Sequence, residues 1–130
     1  MAAQPKVSEA EWQVMNVLWE KSPQTVREIV DILSERTNWQ LETIRTLVNR
    51  LERKGAIGYE KRGRRYHYYP LLDQEQCVRQ EAESILSRTG TAVLKPLLSA
   101  FIEQEDLSEA EIEELRQILA KKEGDNHGSD

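Results

Sequence analysis

Apolar positions along this chain recur with two different periods, and the change of period marks its elements. Over residues 8–20, Ala10, Val14, Val17 and Leu18 return at helical spacing and should face inward. Trp12 and Trp19, seven residues apart, share a side and are expected to pack on the core. Ser22-Pro23 ends this helix, and a second over 25–36 turns Val26, Ile29, Val30 and Leu33 inward. A third begins near 39–41 and stops at Lys54, where Gly55 offers a left-handed cap. Its stripe is Leu41, Ile44, Leu47, Val48 and Leu51. The period then drops to two, so residues 56–61 and 65–69 read as strands joined by a glycine turn at Arg62-Gly63-Arg64.

The pattern beyond residue 73 is helical again but thinner. A helix over 73–87 should break at Thr89-Gly90. The next holds Val93, Leu94, Leu97, Leu98, Phe101 and Ile102. Pro96 lacks the amide a helix interior needs, so that helix either starts just before it or kinks there. The last, over 108–122, aligns Ile112, Leu115, Ile118 and Leu119, and residues 123–130 read as a frayed, disordered tail. Ser8-x-x-Glu11, Thr25-x-x-Glu28 and Ser108-x-x-Glu111 are capping boxes that sharpen these starts, with Asp73-x-x-Gln76 a looser one.

The fold class expected is therefore mainly α with a small β-hairpin. Residues 1–72 form a winged helix-turn-helix domain of order helix, helix, helix, strand, strand. Residues 73–122 form a helical dimerisation region. About 50 residues in three short helices rarely bury enough surface to stand alone, yet each carries an apolar stripe. A second copy of the chain is the expected cover, since two-fold dimers are the commonest oligomers. The alternative is that these helices fold back on the N-terminal domain.

Charge turns this architecture into chemistry. The 130-residue chain carries −5 overall, but residues 1–72 hold 12 Lys/Arg against 9 Asp/Glu, and residues 73–130 hold 6 against 14. Between Thr43 and Arg65 there are eight Lys/Arg and two Glu. Phosphate attraction follows such a local patch rather than the total. The third helix shows Thr43, Arg45, Thr46, Asn49, Arg50 and Arg53 opposite its stripe, a face expected to lack acidic residues. Thr43, Thr46 and Arg50 project together at spacings of three and four. Threonine packs its methyl on thymine or bonds a phosphate, and arginine grips guanine O6 and N7. Arg62, Arg64 and Arg65 of the wing suit phosphate contacts, with Lys61 as a further candidate. Tyr66, His67, Tyr68 and Tyr69 should alternate along the strand, half packing on the core and half facing solvent or the DNA backbone. The partner implied is double-stranded operator DNA, read by paired helices one helical turn apart.

Several classes fall away. No apolar run reaches the ~20 residues of a membrane span, and the start lacks a secretory core, so a cytoplasmic protein without membrane insertion is expected. Cys77 is the only cysteine, read as an ordinary half-buried thiol with a redox switch as the alternative. With His67 and His127 the only histidines, no metal or other cofactor is expected. The acidic run Glu103, Glu105, Asp106, Glu109, Glu111, Glu113 and Glu114 reads as a solvated surface rather than a catalytic cluster, because no nucleophile or phosphate loop accompanies it. The remaining competitor to operator binding is a protein-interaction module whose basic face docks an acidic partner.

The segments SEAEWQVMNVLWEKSPQTVREIVDIL, TIRTLVNRLERKGAI, YHYYP and AFIEQEDLSEAEIEELRQIL resemble the BlaI/MecI/CopY family of bacterial repressors over residues 7–122. The resemblance implies a dimeric winged-helix repressor on inverted-repeat operators, controlling antibiotic resistance genes in the penicillin-responsive members. It implies base contacts from Thr43, Thr46 and Arg50. It also implies dimerisation through Leu97, Leu98, Phe101, Ile102, Leu107, Ile112, Leu115 and Leu119, to which Leu94 is added from the helical pattern. In that family a membrane metalloprotease sensor triggers cleavage at an Asn-Phe bond. The matching pair here is Ala100-Phe101. The copper-responsive branch ends in paired CxC motifs, which KKEGDNHGSD does not contain.

Overall fold

The computed structural model describes residues 4–128. Three helices come first: α1 (Glu9–Glu20), α2 (Val26–Arg36) and α3 (Leu41–Arg53). An antiparallel hairpin of β1 (Ile57–Arg62) and β2 (Arg65–Pro70) follows. Then come α4 (Gln74–Thr89), a 3₁₀ turn at Thr91–Val93, α5 (Leu94–Gln104) and α6 (Glu109–Gly128). The chain divides into two compact units, Met1–Ala82 and Glu83–Asp130.

The helix starts follow from their side chains. At Ser8 and at Thr25 the hydroxyl accepts from the amide three residues on, and Glu11 or Glu28 reaches back to the cap amide. Each such cap contributes about 1 kcal/mol. Ser108 and Glu111 exchange the same two bonds, whereas at Asp73 the Gln76 amide donates to Oδ2 at 3.2 Å. Gly55, at φ +78°, closes α3. Its amide donates to the Glu52 carbonyl and that of Ala56 to Leu51, so two carbonyls orphaned at the helix end are satisfied.

The first unit has one core. Val14, Met15, Val17 and Leu18 of α1 meet Ile29 and Leu33 of α2 and Ile44, Leu47, Val48 and Leu51 of α3, with Ala56, Ile57, Tyr68 and Cys77 closing it. Met15 is fully buried, although the stripe read from the sequence passed it over. Val26 and Val30 are only half-buried. Leu41, the first residue of α3, stays partly exposed at the helix start, unlike the rest of the stripe. Trp12 and Trp19 meet edge to face at 5.5 Å, and the Trp19 indole donates to the Leu72 carbonyl at 3.0 Å.

The loop between α1 and α2 joins the wing. Gln24 and Tyr68 exchange backbone hydrogen bonds of 2.9 and 2.7 Å, adding a one-residue third strand beside β2. The strands pair Arg62 with Arg65 and leave a two-residue turn with Gly63 at φ +64°, the arrangement of a II′ turn. β1 thus starts and ends one residue later than the expected strand, and β2 extends one residue beyond it.

Three boundaries in the second half differ from those read in the sequence. The units separate between Ala82 and Glu83, within α4, and not near residue 72. The physical reason is Cys77, which is buried in the first unit's core and accepts a 3.1 Å bond from Gln4, tying the start of α4 to that unit. α4 itself continues to Thr89. α6 does not stop near Lys122 but runs on to Gly128, since nothing between them forbids helix, and the last two residues of the expected tail lie outside the described residues. Pro96 stands third in α5, in the first turn, where no amide is needed.

Candidate nucleic-acid interface

The expected reading face is built by α3. Its buried stripe fixes the roll of the helix, so Thr43, Arg45, Thr46, Asn49 and Arg50 are all exposed on the other side. The exposed Thr46 donates its hydroxyl to the Glu42 carbonyl at 2.9 Å. The face is not free of acid, however. Glu42 is exposed in the first turn and stands 3.7 Å from Arg45. Both partners are largely solvated, so the pair is worth little and Arg45 is cheaply released.

The wing supplies the second cationic surface. Arg62, Arg64 and Arg65 are exposed around the Gly63 turn, with Arg62 loosely paired to Glu60 at 3.2 Å. Tyr66 and Tyr68 lie on one side of β2, and the Tyr59 ring meets them at 4.7 and 6.0 Å. Of these only Tyr68 is buried, and burial pushes its phenol up, keeping it neutral. On the other side Tyr69 crosses Gly58, where a β-carbon would stand 2.9 Å from its ring. The Lys61 ammonium lies 6.0 Å from the Tyr66 ring centre.

One of the eight cations is not available. Lys54 donates to the buried Glu11 carboxylate at 2.6 Å and to the Lys6 carbonyl at 3.0 Å. Burial pushes the Glu11 carboxyl up, but the hydrogen bonds from Lys54 and from Ser8, with the Lys54 charge, outweigh it and hold the group below the ordinary carboxylate range. This pair fastens the end of α3 to the start of α1, and so positions the reading helix without touching a ligand.

The structure also assembles residues that periodicity did not single out. An open cleft of about 660 Å³ lies between the first turn of α2, α3 and β2, lined by Thr25, Val26, Arg27, Arg45, Asn49, Arg65, Tyr66 and Tyr68. Arg45, Asn49 and Arg65 were expected at the interface, whereas Arg27 and Tyr66 were not assigned to it. The available signal for Arg27 was its place just inside a capped helix start, where anions are favoured.

In the second unit, Leu94, Leu98, Phe101, Ile102, Ile112, Leu115 and Leu119 are all exposed, and Leu97 and Leu107 are half-buried. Ala100 is half-buried and Phe101 exposed, in the middle of α5.

Comparison with known proteins decides the family. The family model described as penicillinase repressor matches residues 7–121. The chain belongs to this family. The methicillin resistance regulatory protein MecI of Staphylococcus aureus is 36% identical over 117 residues, which span 90% of this chain and 95% of MecI. The penicillinase repressor of Bacillus licheniformis is 36% identical over 115 residues, 88% of this chain and 90% of that protein. Among solved structures, the DNA-binding domain of the repressor BlaI superposes with a TM-score of 0.52 at 38% identity, covering 57% of this chain and 90% of that domain. The monomeric form of Bacillus licheniformis BlaI, in complex with the blaP half-operator, gives 0.51 at 37% identity, covering 58% of this chain and 92% of that one. The penicillinase repressor fold therefore accounts for the helix order and the wing. Among the described residues no helix is long and apolar enough to cross a membrane.

Proposed function

We propose that this protein is a sequence-specific DNA-binding transcriptional repressor that sits on an inverted-repeat operator as a homodimer. The observation that carries this reading is the exposure of Thr43, Arg45, Thr46, Asn49 and Arg50 on α3, opposite the stripe that anchors the helix. Such a face delivers methyls, amides and guanidinium forks to base edges, while Arg62, Arg64 and Arg65 hold the backbone. The BlaI–half-operator complex supports the same use of the domain here. Repression follows from occupancy of the promoter in the cytoplasm, and needs neither catalysis nor a cofactor.

The dimer rests on the second unit. Exposed Leu98, Phe101, Ile102, Ile118 and Leu119 form more apolar surface than a monomer keeps wet, and a two-fold copy supplies a matching cover. In this reading residues 73–122 serve dimerisation, their exposed apolar surface lying in the second unit, and residues 1–72 serve DNA binding. Release comes from a signal acting on the dimerising helices. A protease of a membrane sensor system cutting at Ala100-Phe101 would divide α5, separate the subunits and halve the contacts to the operator. A nuclease footprint on promoter DNA tests the reading. The expected result is protection of two half-sites one helical turn apart by two chains. Protection of no defined site would contradict it.

A further inference from the structure

We infer that the open cleft between α2, α3 and β2 seats one sugar-phosphate unit of the operator backbone, with Arg27 and Tyr66 as its grips. This rests on the repressor reading above and adds two residues to it. The cleft has the chemistry of such a unit on each wall. Arg27, Arg45 and Arg65 all line this one opening, and three such side chains within reach of each other suit a single phosphate. Among the described residues neither Arg27 nor Arg65 has an ion-pair partner, and Arg45 has only the solvated Glu42. The capping box engages the amides of Thr25 and Glu28, and so leaves those of Val26 and Arg27, which lack a partner within the helix, facing outward. The Glu28 carboxylate is itself turned onto the Thr25 amide and hydroxyl. Val26 and the buried Tyr68 add apolar lining against which a deoxyribose can pack, and the exposed Tyr66 adds a phenol to the same cleft. Because Asn49 and Arg45 of the reading helix share this cleft, a phosphate held there fixes how far α3 slides along the groove. Arg27 and Tyr66 therefore set register and carry no base preference of their own.

The test uses the full-length protein, its promoter duplex and a random duplex over a range of salt. Arg27→Ala should weaken both duplexes by about tenfold, the cost of losing a hydrogen-bonded charge, and lower the slope of log affinity against log salt by about one. Tyr66→Phe should weaken both severalfold and leave the slope unchanged, since no charge is lost. Arg27→Lys should restore the slope but not the full affinity. Thermal melts matching the wild type exclude misfolding. A scan of single uncharged methylphosphonates should then find one position that weakens the wild type and leaves Arg27→Ala indifferent. An unchanged slope in Arg27→Ala, or no such position, would overturn the seat. If the wild type showed no promoter preference while Arg27→Ala still flattened the random-duplex slope, the seat would stand and the repressor reading would fall.

Discussion

Arg50 and Arg64 carry the same charge but stand on different elements, and that difference predicts different losses. Arg50 projects from the reading face of α3, so Arg50→Ala should cost about 1–3 kcal/mol on the operator and relax base preference. Arg64 sits in the wing turn. Arg64→Ala should weaken operator and random duplex alike and reduce the salt slope by about one. Binding isotherms at several salt concentrations separate the two, and equal effects on both duplexes from both substitutions would refute the division. Glu11 tests a residue that holds the site without entering it. Its carboxyl is held below the ordinary range in the folded chain, so the stabilisation is full above the pKa of an unfolded carboxylate and is lost as pH falls through the lower folded value. Glu11→Gln should lower stability at neutral pH by about 1.5–3 kcal/mol and flatten the acid limb of the pH–stability curve, read by denaturant unfolding. The sequence displayed Glu11 as a capping residue. Its ion pair with Lys54 joins positions 43 apart, a contact that local spacing does not encode.

Elements were the most legible level of this chain. Three of the helix starts carry reciprocal capping bonds, and glycine sets both the end of α3 and the turn of the wing, so their positions follow from local chemistry. Gly55→Ala should cost about 1–2 kcal/mol by forcing an alanine into a left-handed backbone. Its β-carbon would meet nothing, so the loss is conformational and should appear in thermal melts without a change in base preference. What escaped was decided at longer range or by the absence of a stop signal. Leu41 fits the apolar stripe of α3 by spacing, yet as the first residue of that helix it remains 36% exposed. The partition within α4 depends on Cys77 reaching a core built from other helices. α6 passes Gly124 and continues, because a single glycine weakens a helix by about 1 kcal/mol without ending it. The exposed face of α3, which we propose as the reading face, was visible in the order of threonine, asparagine and arginine. The cleft beside it was not, because its walls come from three separate elements.

At the scale of the whole molecule, charge and apolar surface are divided between the two halves. Residues 1–72 carry a net +3 and residues 73–130 a net −8, so DNA attraction is confined to one end of the chain. The acidic half exposes leucines, isoleucines and a phenylalanine, the surface through which we propose that two copies pair, and under that proposal affinity for a two-fold operator depends on the pairing. Phe101→Asp places a charge in the proposed seam. It should convert the dimer to a monomer in sedimentation, lower operator affinity by at least about tenfold (1.4 kcal/mol), and leave random-duplex binding per domain nearly unchanged. A dimer that persists in this variant would move the interface elsewhere. The most direct measurement is a fluorescence anisotropy titration of the full chain on its own promoter duplex and on a random duplex at one moderate salt concentration. The account predicts binding to the promoter roughly 10³-fold tighter or more, saturating at two chains per site. Equal affinity for the two duplexes would contradict it.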